Sequence, residues 1–155
     1  MTAAELNLVE RTLFLIKPKG MEYEEEILDH LRTIGSLVAY HSYDTSPMDK
    51  VQQHYNRIRA SAPHIYIWMI EGFKEKPMAS GIIEGTDAID QLIRITGDTD
   101  PYQAAEGTIR SLAYQYNKET LARSIEETRM CDNFIHRSRR DAFVFERGVW
   151  HPEIV

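Results

Sequence analysis

The stretch Thr12-Leu13-Phe14-Leu15-Ile16, closed by Lys17-Pro18-Lys19-Gly20, decides how the rest of the chain is read. A short unbroken apolar run stopped by Pro and Gly reads as a buried strand, because a helix needs a longer periodic segment. Lys17 then stands at the strand's exit. Residues 22–34 place Ile27, Leu28, Leu31 and Ile34 at helical spacing and carry acids in the first turn, where the helix dipole favours them; the pattern stops at Gly35. Residues 37–43 read as a second strand. Ser46-Pro47-Met48-Asp49 supplies an N-cap, a first-turn Pro and a third-position acid for a helix with Met48, Val51, Tyr55 and Ile58 on one side.

Residues 65–70 and 78–83 are two further strand candidates, separated by a polar segment, residues 72–77, that would turn a hairpin. Residues 87–95 look helical with Asp87 as cap, and Asp100-Pro101 looks like a cap and first helical position leading toward Arg110. Residues 111–129 carry Leu112, Tyr116, Leu121 and Ile125 at loose helical spacing. The sum is an α+β, ferredoxin-like βαββαβ antiparallel sheet with helices packed on it. No internal repeat, low-complexity tract or linker interrupts it, so residues 1–155 are expected to form a single domain.

Bulk properties narrow the function. With 43% hydrophobic and 27% charged residues the chain has an ordinary globular composition, and no segment approaches the roughly 20 consecutive apolar residues of a membrane helix. Residues 1–10 lack the basic-then-apolar order of a secretory signal, and Cys131 is the only cysteine, which excludes an internal disulfide. A soluble, cytoplasmic protein in a reducing compartment is expected. A net charge of -6 disfavours nucleic acid as a partner, since a phosphate backbone must be met by clustered cations. Any phosphate site must therefore be local.

Three segments carry residues suited to such a site. Lys17 at a strand end beside Gly20 can hold a phosphate oxygen, although a lone lysine is more often only a solvated charge. Gly97-Asp98-Thr99-Asp100-Pro101, followed by Gly107-Thr108-Ile109-Arg110, offers a hydroxyl, flexible backbone and a guanidinium; by itself it is as well read as a capped loop with a surface Arg. Asn133-Phe134-Ile135-His136 ends a short apolar run on a histidine, with Ser138 and Glu146 downstream.

In identity and order these segments resemble the nucleoside diphosphate kinase family across nearly the whole chain. The family's aliphatic run closed by Lys-Pro-Asp-Gly is matched by residues 13–20, and its His-Tyr pair by His54-Tyr55. Its Gly-x-Thr-(Asn/Asp)-Pro and Gly-Thr-Ile-Arg motifs are matched at residues 97–101 and 107–110, and its Asn-x-x-His-Gly-Ser motif by Asn133, His136 and Ser138. The family's Glu shortly before a Trp is matched by Glu146 before Trp150.

The resemblance implies a ping-pong transfer of the γ-phosphoryl of a nucleoside triphosphate to a nucleoside diphosphate through phosphohistidine at His136. It implies that Glu146 orients and balances the imidazole, that Ser138 donates a hydrogen bond nearby, and that Lys17, Thr99 and Arg110 hold the phosphates. Asn133 would bind the sugar side and Tyr55 would line the pocket. Mg²⁺ would travel with the nucleotide phosphates, with no metal ligands from the protein itself, and the family suggests a homo-oligomer, hexamer or tetramer, with no membrane or specific nucleic-acid partner.

The chain also departs from the family pattern. Lys19 stands for Asp, and Arg137 stands for the Gly after the histidine, a bulky cation expected to point away from the nucleotide or to contact its phosphates rather than cover His136. The family's Arg before the Thr-Asn-Pro loop falls on Ile93, with Arg94 one residue away as the substitute. Extra residues lie between Arg110 and Asn133, and the shortened segment after Tyr55 lacks the family's base-stacking Phe. Two other readings follow: a catalytically weak or inactive nucleotide-binding relative acting as a regulatory module, or a ferredoxin-like interaction module in which the His and Arg are surface groups.

Overall fold

The computed structural model describes residues 8–97, 104–116 and 134–154. Four strands form one antiparallel sheet in the order β2-β3-β1-β4. They are β1 (Val9–Ile16), β2 (Ser36–Tyr43), β3 (Met78–Thr86) and β4 (Ile135–Arg137). Between them run α1 (Glu24–Arg32), α2 (Met48–Ser61), α3 (Pro63–Phe73), α4 (Ala88–Thr96) and α5 (Ile109–Tyr116), and α6 (Phe143–Trp150) follows β4. This is the ferredoxin-like α+β arrangement read from the sequence.

β1 lies inside the sheet with helices on both faces, which is why its sequence is apolar without alternation. Phe14 and Ile16 pack with Ile27, Leu31, Ile83 and Leu92 on one side. Leu13 and Leu15 pack with Val51, Tyr55, Met69 and Trp150 on the other. Gly81 sits opposite Phe14 in the ladder, and a Cβ there would lie 2.5 Å from the Phe14 ring, so the aromatic occupies space that only glycine leaves open.

Three expectations need correction. Residues 65–70 are not a strand but the middle of α3, so the hairpin expected at residues 72–77 is instead a helix-to-strand link. Pro63 opens this helix, Met69 and Phe73 are buried one turn apart, and Ile67 and Trp68 face outward. The run Ile65-Tyr66-Ile67-Trp68-Met69-Ile70 is apolar all round, which hides a helical period. Ser46 does not cap α2: its hydroxyl donates to the carbonyl of Lys76 at 2.6 Å, and Pro47 occupies the cap position. Asp87 holds the cap position of α4 but makes no side-chain capping bond; it adopts a left-handed φ of 55° and its carboxylate turns to Arg94. Of the helix expected over residues 111–129, only the part within α5 lies among the described residues.

Candidate active site

The nucleophile candidate sits on the sheet edge. His136 is the central residue of β4 and pairs with Leu15, while Ile135 pairs with Ile16. The ladder runs on beyond the strand: the Lys17 amide donates to the Phe134 carbonyl at 2.8 Å and the Ser138 amide to the Leu13 carbonyl at 2.9 Å. The first-strand motif and the histidine motif are thereby joined. Gly20 closes the contact, because a Cβ on it would lie 2.5 Å from the Phe134 carbonyl oxygen. Phe134 itself holds a φ of 73°, a costly conformation for a bulky residue. Its fully buried ring, stacked on Tyr23 at 5.3 Å, keeps it there at the entrance to β4.

α6 brings Glu146 beneath the histidine. One carboxylate oxygen accepts from Ser138 Oγ at 2.7 Å and from His136 Nε2 at 2.9 Å. Burial opposes ionisation of Glu146, but the hydrogen bond and charge of His136, with His54 and Ser138 adding to them, outweigh it and hold the carboxyl below its usual range. An ionised carboxylate can only accept, so the proton of the neutral ring lies on Nε2 and the lone pair on Nδ1.

A second histidine fixes the other side. The rings of His54 and His136 meet edge to face, centroids 4.5 Å apart and planes at 90°. Trp150 Nε1 donates to His54 Nδ1 at 3.1 Å, so neutral His54 carries its proton on Nε2. Burial, then the neighbouring His136, lowers the pKa of His54 to about 3. Although potential ligand atoms of His54, His136 and Glu146 lie within 4.8 Å of one another, each residue already spends an atom on Trp150, Glu146 or Ser138. His136 and Glu146 are hydrogen-bonded to each other, whereas His54, whose lone pair is taken by Trp150, meets His136 through ring contact.

Beside these groups opens a cavity of about 430 Å³ lined by Lys17, Arg57, Arg110, Arg137 and Arg139, with Glu146 as the one acid on its wall among the described residues. In a chain of net charge -6, that local reversal is what an anionic ligand requires. Arg110 is buried and is held by the carbonyls of Gly97 (3.2 Å) and Ile135 (3.0 Å). Tyr55 also lines the cavity; its buried hydroxyl has no hydrogen-bond partner, and burial raises its pKa.

The structure thus brings together Lys17, Tyr55, Arg110, His136, Ser138 and Glu146. It does not bring in Arg94, which is largely exposed on α4 and paired with Asp87 at 3.3 Å. Thr99 and Asn133 lie outside the described residues. Lys19 is exposed and does not line the cavity. Sequence reasoning missed His54 as a neighbour of the nucleophile, and also missed Arg57 and Arg139. The helical step from His54 to Arg57 was the available signal, since residues three apart share a face.

A partly buried histidine held by a carboxylate, opening on a cationic cavity, is an arrangement suited to group transfer on an anionic substrate. Comparison with known proteins gives the family. The nucleoside diphosphate kinase family model matches residues 10–153. The nucleoside diphosphate kinase of Mycobacterium tuberculosis (strain ATCC 25618 / H37Rv) is 34% identical over 116 residues, covering 71% of this chain and 84% of that protein. That of Streptococcus uberis is 27% identical over 145 residues, covering 92% and 94%. Among solved structures, the Borrelia burgdorferi nucleoside diphosphate kinase, a transition state mimic with bound vanadate and ADP, superposes with TM-score 0.78 at 22% identity over 95% of this chain and 90% of that one. The Halobacterium salinarum enzyme in complex with CDP gives 0.71 at 24% identity over 90% and 86%. This chain belongs to the nucleoside diphosphate kinase family and is a phosphotransferase. Among the described residues no helix is long and apolar enough to cross a membrane.

Proposed function

We propose that the chain, as one domain over residues 1–155, moves the γ-phosphoryl of a nucleoside triphosphate to a nucleoside diphosphate in two half-reactions through His136. In the first, the Nδ1 lone pair attacks the γ-phosphorus and the diphosphate leaves with the bridging oxygen. In the second, a terminal oxygen of the incoming diphosphate takes the phosphoryl back and the lone pair returns to Nδ1. The observation that carries this reading is the short His136 Nε2 to Glu146 contact on the wall of a cation-lined cavity. Glu146 fixes the tautomer and offsets the positive charge of the phosphoryl-imidazole, and Ser138 holds Glu146 in place.

Lys17 and Arg110, with Thr99, contact the phosphates; Asn133 takes the sugar side and the Tyr55 hydroxyl donates into the cavity. Arg94 joins them only by leaving Asp87. The one carboxylate on the cavity wall is engaged by His136 and Ser138, so the described residues offer no oxygen cage for a hard divalent cation. Mg²⁺ fits this site as a companion of the nucleotide, where it would neutralise phosphate charge. A homo-oligomer, hexamer or tetramer, and a cytoplasmic location complete the proposal.

Incubation with γ-labelled ATP and Mg²⁺ tests it. The protein should acquire an acid-labile, base-stable label that His136→Asn abolishes. A wild-type chain that stays unlabelled under conditions that label an active relative would sink the transfer mechanism.

A further inference from the structure

Arg137 follows the nucleophile on β4, pairs with Phe14 in the ladder, and is half-buried with its side chain on the cavity wall. Its Nε is buried without a hydrogen-bond partner, and no carboxylate reaches the guanidinium among the described residues. Other arginines of this acidic chain do find one: Arg11 meets Glu84 at 2.6 Å, Arg140 meets Glu10 at 2.7 Å and Arg94 meets Asp87 at 3.3 Å. The charge that bears on Arg137 is instead Arg139, which lines the same cavity. Burial and this like-charged neighbour both lower the pKa of Arg137, and no protein group offsets them. A desolvated cation beside a second cation is an unfavourable arrangement that an anion with several oxygens, meeting the guanidinium from the cavity, relieves. The planar fork of a guanidinium suits phosphate oxygens, which a point charge cannot match in two directions.

We propose that Arg137 is a phosphate-binding residue of this cavity, reaching the terminal phosphates of the nucleotide from the β4 side and supplying the cationic contact that Arg94, held on Asp87, does not. The proposal rests on the phosphotransfer reading of the site. It also turns the departure from glycine at this position from an obstruction into a ligand.

Calorimetric titration of the wild type, Arg137→Gln and Arg137→Lys with ADP, AMP and inorganic tripolyphosphate decides it. Loss of a charge-assisted hydrogen bond should weaken ADP and tripolyphosphate roughly ten- to hundredfold in Arg137→Gln. AMP should be unaffected, and Arg137→Lys should recover part of the loss. The melting temperature of ligand-free Arg137→Gln should hold or rise, since an unpartnered cation has been removed; a purely structural role would lower it. If the Gln variant does not fold, the Lys variant carries the same comparison at smaller amplitude. Equal ADP affinity in folded wild type and variants overturns the proposal while leaving the phosphotransfer reading intact, and so does an equal loss for ADP and AMP. A wild type that binds no ADP overturns that reading and this proposal with it. Higher turnover in Arg137→Gly would show that the side chain blocks the site.

Discussion

The two faces of the sheet are packed by different rules. Under α1 and α4 the buried cluster is built from Phe14, Ile16, Ile27, Leu31, Ile83 and Leu92, with Thr12 on the Phe14 side of β1 and Thr96 of α4 as buried hydroxyls beside it. Under α2, α3 and α6 an apolar cluster of similar extent is threaded with buried His54, Ser80, Glu146 and His151. Ser80 and His151 are bonded to each other at 3.0 Å, as Trp150 is to His54. A buried polar group weakens a core unless every bond is made, so the second face exchanges stability for a fixed set of ring and carboxylate positions. The first face holds the sheet together. The second face fixes the rings and the carboxylate that line the cavity.

The largest effect should come from breaking the first face. Phe14→Ala removes a fully buried ring that fills the space above Gly81, and should lower the unfolding free energy by about 3–5 kcal/mol. Urea titration followed by circular dichroism measures this, and a loss below about 1 kcal/mol would mean the face is not the stabilising one.

Next is a pH dependence confined to the second face. The folded pKa of His54, about 3, lies below the ordinary histidine value, so between about pH 6.5 and 3 the unfolded chain binds a proton that the folded one refuses. Stability therefore falls as pH falls through that window, by about 1.4 kcal/mol per pH unit for this group and about 2 kcal/mol at pH 5. Glu146 acts in the same direction but later, because its lowered pKa releases stability only below the usual carboxylate range. His54→Asn, which keeps an acceptor for Trp150, should flatten the slope between pH 6.5 and 5. An unchanged slope would place the acid sensitivity elsewhere.

The smallest effect concerns the outer surfaces. Exposed large apolar residues on helices cluster on the second side: Ile67 and Trp68 on α3, Val144 and Phe145 on α6, the last two 71% and 41% exposed. If these cover one another between copies of the chain, light scattering at micromolar concentration should give a mass above the 18.0 kDa of one chain. Phe145→Ser should weaken the assembly by about 1 kcal/mol per subunit. A monomeric mass for the wild type would remove oligomerisation from the proposal.

This contrast also explains what could be read from the sequence. Elements of the first face announced themselves: Ile27, Leu28 and Leu31 sit at helical spacing on an otherwise charged helix, and β1 is an unbroken apolar run between clear stops. α3 was illegible because Ile67 and Trp68 are exposed yet apolar, so its period of burial is not a period of polarity. Motif order singled out Lys17, Arg110, His136 and Glu146, which the structure gathers on the wall of one cavity. His54 was seen but not weighed, since nothing in its neighbourhood states that a T-shaped contact with a residue far along the chain fixes its role. The capping assignments of Ser46 and Asp87 failed for one reason: each side chain had a competing partner, the Lys76 carbonyl and Arg94, that local pattern does not display.

The shortest strand of the sheet carries His136, and its hydrogen bonds go to β1, the first strand of the sheet in chain order. Until residues 135–137 leave the ribosome, the β1 edge that will receive them stays open, with the free N–H and C=O groups that invite pairing with a stranger. His136 therefore cannot take its place beside Leu15 before β4 is made, however well the other three strands have formed. The same three residue pairs that align His136 with Leu15 also cover the β1 edge from Phe14 to Ile16, so closing that part of the sheet and placing His136 are one event.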